Sequence, residues 1–403
     1  MTKPILSNRA KHMPASPIRK LVPYADYAKS KGVEVIHLNI GQPDIETPQQ
    51  VLDEIQHYAD KVLAYGPSQG LLELRTKLSS YYAQFGIEVT AEDIAITTGG
   101  SEALSILMGS LCDSGDNVVI PEPFYANYNG FASSYAIEVR SVASTIENNF
   151  ALPDVALIES QINEKTKAIL ICNPGNPTGY LYTDQELNAL KALALKHNLF
   201  LIADEVYREF VYENQEHTSV LNLEGCEEHV IVVDSFSKRY SMCGARVGCI
   251  VSKNKELNEA VLKFAQARLC PPTLAQLACI AALDTAPSYF EAVNAEYDKR
   301  RQLLIRLVSN IPKLKVAFPK GAFYCMIEIE DIDSAEDFAQ WLLESFSLNG
   351  HTVMLAPASG FYSHPELGKR QLRIAYVLES SRLEQAVNIL HKGLEQYRNQ
   401  NKT

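Results

Sequence analysis

Between Asp93 and about residue 250 the chain alternates short β-branched apolar runs with longer amphipathic stretches, and few folds accommodate that pattern. IAITTGG leads into SEALSILMGSLC, NVVIPEP into YANYNGFASSYA, and AILICNP into TDQELNALKALALKHN; LFLIADEV, VIVVDSFSK and VGCIVS follow. Short runs that are apolar throughout belong to strands buried on both faces, and the amphipathic stretches between them supply the cover. The reading is α/β, a mostly parallel central sheet flanked by helices. After about residue 285 the character changes. Two long helical patterns, SYFEAVNAEYDKRRQLLIRLVSNI and SRLEQAVNILHKGLEQYRNQ, enclose GAFYCMIEIE and QLRIAYV, which alternate like strands of an open antiparallel sheet with one exposed face. We therefore expect a large α/β domain over 48–285. A smaller α+β domain should combine 1–47 with 286–403, its first part contributing the PIRKLVPYADYAKSKG helix.

A length of 403 residues suits two domains. With 46% hydrophobic and 21% charged residues, disorder is excluded. A net charge of −11 argues against a nucleic-acid partner, for want of a basic face. A few placed arginines can still hold one small anion. The opening MTKPILSNRAKHMP has no apolar core for a signal peptide, and no run approaches the ~18 apolar residues of a membrane span. Eight cysteines without a CxxC pair, several inside apolar runs, read as buried reduced thiols of a cytoplasmic protein, with no metal site and no disulfide framework. Cys243 and Cys270 stand apart, because both fall in segments close to the chemistry described next.

In an open parallel sheet, ligands bind beyond the carboxyl ends of the strands. Four such ends carry polar groups. IAITTGGSEAL passes from strand to helix at Gly99-Gly100-Ser101, where free N–H groups and the helix dipole make an anion site, or simply a tight turn with a serine cap. Neither GxGxxG nor GxxxxGK[ST] is present, so a nicotinamide dehydrogenase or a P-loop enzyme is unsupported. VIVVDSFSKRYSMCGARVG sets Lys238 after a strand, with Ser235 and Ser237 before it and Arg246 eight residues on. A lysine at a strand end is either a solvated loop residue or, with hydroxyls and an arginine around it, an amine nucleophile beside a phosphate cup, and a lysine desolvated among cations loses its proton more readily. LFLIADEVY ends a buried strand in Asp204, with Tyr207 close behind. Asp204 either caps the next helix or, as a buried carboxylate that needs a cationic partner, meets a protonated pyridine nitrogen. AILICNPGNPTG forms a rigid turn in which Asn176 either presents its amide to a ligand or shapes the turn.

Taken in order, NIGQPDIETP, YGPSQGLLELR, TTGGSEAL, NPGNPTG, ADEVY, SFSKRYSMCGARVG, PKGAFY and LRIAY resemble the class I/II, fold-type I, pyridoxal 5'-phosphate aminotransferases, the group that includes aspartate and aromatic aminotransferases. The similarity spans about Asn39 to Tyr376. It implies an enzyme moving an amino group from an L-amino acid to a 2-oxo acid. The acceptor is expected to be 2-oxoglutarate and the donor aspartate or an aromatic or aliphatic amino acid. By the same resemblance Lys238 carries the cofactor and shuttles the Cα proton. Asp204 holds the proton on the ring nitrogen, and Tyr207 and Asn176 bond the ring hydroxyl oxygen. Tyr125 stacks on the ring. Gly100, Ser101, Ser235, Ser237 and Arg246 hold the phosphate, and Tyr65 reaches the phosphate of the neighbouring subunit, which implies a homodimer with shared active sites. Arg373 grips the substrate α-carboxylate, with Gly41 and Asn176 beside it.

Three positions depart from the family pattern. The phosphate turn has Ser101 where aspartate/prephenate-type members often carry a lysine for the distal carboxylate, and Ala245 replaces a common tryptophan. No arginine matches the one from the neighbouring subunit that reads the substrate side chain in aspartate enzymes; Arg268, Arg9 and Arg19 are either candidates for it or surface charges. A carbon–sulfur β-lyase or an aminocyclopropane-carboxylate synthase-like enzyme shares Lys238, Asp204 and Arg373. A non-catalytic cofactor-binding module, as in some transcription regulators, would need a DNA-binding domain ahead of the resembling part. That part begins within about 40 residues of Met1.

Overall fold

The computed structural model describes residues 4–400 apart from Ala15 and Asp60. Its thirteen strands, in chain order among the described residues, are β1 (Glu34–His37), β2 (Ile94–Thr97), β3 (Asn117–Glu122), β4 (Glu138–Ala143), β5 (Thr166–Cys172), β6 (Phe200–Asp204), β7 (Val230–Ser235), β8 (Gly248–Val251), β9 (Leu314–Val316), β10 (Tyr324–Ile329), β11 (His351–Met354), β12 (Ala356–Pro357) and β13 (Gln371–Ala375).

Seven of them form the central sheet in the order β2-β8-β7-β6-β5-β3-β4. β8 alone runs against its neighbours; every other pair is parallel. Side-chain alternation explains the uninterrupted apolar runs. Along β6, Leu201 and Ala203 join one core while Ile202 joins the core on the opposite face. Ile231 and Val232 of β7 divide in the same way. Helices Gly99–Leu111 and Lys255–Arg268 cover one face and helices Leu72–Ala83, Asp184–His197 and Thr273–Ala282 the other. The boundaries follow local chemistry. Thr183 and Glu186 form a capping box at the start of helix Asp184–His197, and Asn198 ends it in the left-handed region.

A separate core gathers helix Val22–Ser30 and β1 with helices Pro287–Val308, Ala335–Ser345 and Ser380–Gln400. β1 pairs in parallel with β11, from Glu34 against His351 to His37 against Met354. The two ends of the chain thus pack together. Residues 1–3 and 401–403 of the expected smaller domain lie outside the described residues. Strands β12-β13-β10-β9 form an antiparallel sheet. The expectation that this sheet keeps an exposed face is corrected: β13 is buried throughout, and so is nearly all of β10. Leu372 and Ile374 face the helices, whereas Met326 joins a second cluster with Ala126, Phe150, Ala356 and Phe361. The polar residue that makes QLRIAYV look half-solvated is Arg373, only 1% exposed.

The thiols also differ from expectation. Cys226, Cys249, Cys279 and Cys325 are buried, while Cys112, Cys172, Cys243 and Cys270 are half-buried; all eight are free. No helix among the described residues is long and apolar enough to cross a membrane.

Candidate active site

β2, β3, β5, β6 and β7 end at the same edge of the large sheet. β8, being reversed, begins there and so delivers Arg246 to that edge. A cleft of about 770 Å³ opens where this edge meets the smaller sheet. Gly41, Gly100, Ser101, Tyr125, Asn176, Asp204, Tyr207, Ser235, Ser237, Lys238, Arg246 and Arg373 all line it. Of the residues expected at the site, Tyr65 does not; its side chain is 81% exposed. Cys243 lines the cleft and Cys270 does not.

The anion-binding end is built from backbone. Helix Gly99–Leu111 starts directly after β2, and the first N–H groups of a helix have no intrahelical acceptor. Gly248 lets β8 pass over this turn, since a Cβ there would stand 2.7 Å from Gly100 N. Arg246 adopts a left-handed backbone conformation (φ 57°), and its Nη1 donates to Cys243 O at 3.1 Å. Its guanidinium lies so close to Gly99 that a Cβ at that glycine would sit 2.7 Å from Nη2. Ser235 caps the short helix carrying Lys238, accepting from Ser237 N, and its Oγ donates to Ser237 Oγ at 2.9 Å.

Lys238 Nζ donates to Gly41 O at 2.7 Å and approaches Cys243 Sγ at 3.6 Å. Asp204 is buried at the end of β6. Tyr128 OH donates to its Oδ2 at 2.8 Å and Val206 N approaches its Oδ1 at 3.4 Å. No arginine or lysine pairs with it among the described residues, and burial pushes its carboxyl up from the ordinary 3.8 to about 6. Tyr207 OH shares a hydrogen bond with Tyr324 OH at 2.9 Å, and burial holds the Tyr207 phenol protonated. The Tyr125 ring stands edge-on to Tyr128, centroids 5.5 Å apart, and burial raises its phenol to about 12.

Arg373 projects from the cleft-side face of the smaller sheet. Its Nη1 donates to Asn176 Oδ1 at 2.8 Å and its Nη2 to Asn39 O at 2.6 Å. Its guanidinium lies over the Tyr324 ring, 4.3 Å from the centroid, and Nε has no partner among the described residues. Such an arginine is pre-positioned for a planar anion.

Tyr324, Asn39 and Tyr128 were not singled out from the residues, although PKGAFY, NIGQPD and PEPFYANY contain them. Each acts by bonding another site residue, which a strand-end reading does not detect. Arg268 leaves the list of substrate-reading candidates. Its Nη1 pairs with Glu102 at 2.9 Å and its Nη2 donates to Ser68 O at 3.0 Å. Arg19 lines the cleft and Arg9 does not.

The donor set suits pyridoxal phosphate: an amine nucleophile, an unpaired buried carboxylate, and an anion site of hydroxyls, amide N–H groups and an arginine in one cavity. Comparison with known proteins agrees. The family model for aminotransferase class I and II matches residues 33–390. The chain is 31% identical to an aspartate aminotransferase of Pyrococcus horikoshii over 98% of both chains. It is 30% identical to aromatic-amino-acid aminotransferase 2 of Thermococcus litoralis, covering 97% of this chain and 98% of that one. It superposes on the structure of an alanine aminotransferase from Pyrococcus furiosus with a TM-score of 0.90 at 30% identity, over 97% of this chain and all of the other. The chain belongs to the class I and II aminotransferases. It is a fold-type I enzyme of the pyridoxal-phosphate-dependent kind.

Proposed function

We propose that the cleft binds pyridoxal 5'-phosphate on Lys238 and transfers an amino group from an L-amino acid to 2-oxoglutarate, with aspartate or an aromatic or aliphatic amino acid as donor. The observation carrying this reading is Asp204, a buried carboxylate with no arginine or lysine paired to it among the described residues, in a cavity that also holds Lys238 and Arg373. A protonated pyridine nitrogen completes it. When bound, the cofactor supplies a sink for the electron pair released at the substrate Cα. Asp204 keeps the ring nitrogen protonated, and its burial strengthens that interaction. The Lys238 amine removes the Cα proton and later returns it. Arg373 and Asn176 would orient the substrate through its α-carboxylate, Tyr207 and Asn176 would bond the ring hydroxyl oxygen, and Tyr125 would stack on the ring. Gly100, Ser101, Ser235, Ser237 and Arg246 hold the phosphate. Tyr65, exposed together with Val62 and Leu63, fits a homodimer in which it reaches the partner's phosphate. The core drawn mostly from 1–47 and 286–403, into which Tyr207, Phe210 and Tyr212 also pack, supports a division near 47/48 and 285/286, and eight free thiols suit the reducing cytoplasm.

Related proteins named for aspartate, aromatic amino acids and alanine support amino transfer and leave the donor to experiment. The test is the visible absorbance of the purified protein. A yellow protein should bleach with particular amino acids and recover with 2-oxoglutarate. Release of pyruvate and ammonia from cystathionine without an oxo acid would make it a lyase instead.

A further inference from the structure

We propose that Tyr324 is a positioning residue for both ends of the site: its hydroxyl donates to Tyr207, aiming the Tyr207 proton at the ring oxygen of the cofactor, and its ring is the platform that holds the Arg373 guanidinium. This rests on the function proposed above and names the side chain that ties ring-oxygen recognition to carboxylate recognition.

Sheet geometry brings these residues together. β10 and β13 are antiparallel, with Met326 opposite Arg373 and Tyr324 opposite Ala375. Side chains two positions apart on a strand share a face, so Tyr324 is the diagonal neighbour of Arg373 on the side that lines the cleft. The Arg373 guanidinium accordingly lies over the Tyr324 ring, 4.3 Å from its centroid. Nη1 and Nη2 are held at the edge by Asn176 and Asn39. The ring fixes what those two bonds leave free, the tilt of the guanidinium plane. At its other end the Tyr324 hydroxyl leaves no room for a Cβ at Gly41, whose carbonyl accepts from Lys238 Nζ, and it meets Tyr207 OH at 2.9 Å.

The direction of that last bond follows from counting protons. Tyr207 and Tyr324 are 3% and 2% exposed, and neither hydroxyl has another hydrogen-bond partner among the described residues. Each oxygen carries one proton and can also accept. If Tyr207 gave its proton to Tyr324, it would have none for the ring oxygen. If Tyr324 gives, the Tyr207 proton is available to that oxygen, and a hydroxyl that receives a hydrogen bond donates a stronger one. The titratable or charged groups facing the pair are Tyr125, Cys172, Asp204, Lys238 and Arg373, and none is altered in the variants below.

The experiment loads wild type, Tyr324→Phe, Tyr324→Leu and Tyr207→Phe with pyridoxal phosphate. It reads the pH midpoint of the visible absorbance change and the affinity for butyrate, an unreactive monocarboxylate. A donor to the ring oxygen steadies its negative charge and eases loss of the proton on the Lys238 nitrogen beside it, so losing the donor raises the midpoint. Tyr324→Phe should raise it by about 0.4–1 pH unit, no more than one neutral hydrogen bond is worth, and leave butyrate affinity within about twofold. Tyr207→Phe should raise it further. Adding Tyr324→Phe to that variant should move the midpoint no more, because the relay is already broken. Tyr324→Leu should match the Tyr324→Phe midpoint and also weaken butyrate about fivefold, the scale of a lost guanidinium–ring contact. An unmoved midpoint in Tyr324→Phe, or a shift that adds in full to that of Tyr207→Phe, would overturn the proposal. So would equal losses of butyrate affinity in Tyr324→Phe and Tyr324→Leu, which would mark a merely structural role. If Tyr207→Phe shifts as expected and Tyr324→Phe matches wild type, only the Tyr324 assignment fails; a wild type that takes up no pyridoxal phosphate would remove the proposed function as well.

Discussion

Asp204 and Asp234 stand near the ends of adjacent parallel strands, both buried, and the protein treats them in opposite ways. Asp234 is saturated. Arg239 Nη2 donates to both of its oxygens at 2.6 and 2.5 Å, Tyr82 OH donates to Oδ2 at 2.9 Å, and Ser235 N donates to Oδ1 at 2.7 Å. Arg239 is itself packed over the Tyr81 ring, 4.5 Å from its centroid. Asp204 has one tyrosine and a long backbone contact. Arg239 and Lys238, adjacent in sequence, divide the same way, the first sealed into the core and the second lining the cleft. In this pair the charge satisfied within the fold serves the fold, and the one left incomplete lines the cleft.

The contrast can be broken at four points, taken from the largest expected effect downward. Lys238→Ala should reduce amino transfer by at least about 10⁴-fold, because it removes nucleophile and base together, while leaving thermal unfolding nearly unchanged. Steady-state turnover beside a melting curve checks this, and residual activity near wild type would dismiss the assignment. Arg239→Ala, one residue on, should do the reverse. Stranding the buried Asp234 should cost about 3–5 kcal/mol of stability by denaturant titration, and a fully stable variant would show that the pair is dispensable.

Asp204→Asn should act on both quantities with opposite signs. The rate of Cα–H exchange should drop by about 10²–10³, the worth of one strong electrostatic group. In cofactor-free protein the same change should stabilise the fold. The Asp204 pKa is raised on folding, so its contribution is intact below the ordinary 3.8 and is lost as pH rises through about 6. Wild type should therefore fall behind the Asp204→Asn variant by up to about 3 kcal/mol between pH 4 and 7. Parallel stability curves would refute the strain ascribed to this carboxylate. The smallest effect is expected from Arg373→Ala, about 1.5–3 kcal/mol of binding, read as a raised KM for amino acid and oxo acid alike. An unchanged KM would move the α-carboxylate elsewhere.

Much of this was legible in the chain. Val230–Val233 has to be a buried strand because nothing polar interrupts it, and SFSK follows at its carboxyl end, where open sheets place ligands. Thr183 and Glu186 announce a helix start by themselves. The exposed face assigned to GAFYCMIEIE and QLRIAYV was misread for a physical reason. Alternation reports only that one side of a strand carries a polar group, and it cannot distinguish water from a cleft.

What the sequence determined by itself was therefore whatever depends on near neighbours along the chain: the parallel sheet, the helix caps, and the order of polar groups at strand ends. Only the tertiary structure decided which charges are used up. Arg268 and Arg19 look equally available in sequence, yet Glu102 claims the first and nothing described claims the second. That outcome turns on residues more than 160 positions apart meeting in space, and hydrogen bonding and ion pairing fall off too steeply with distance for any local pattern to encode it.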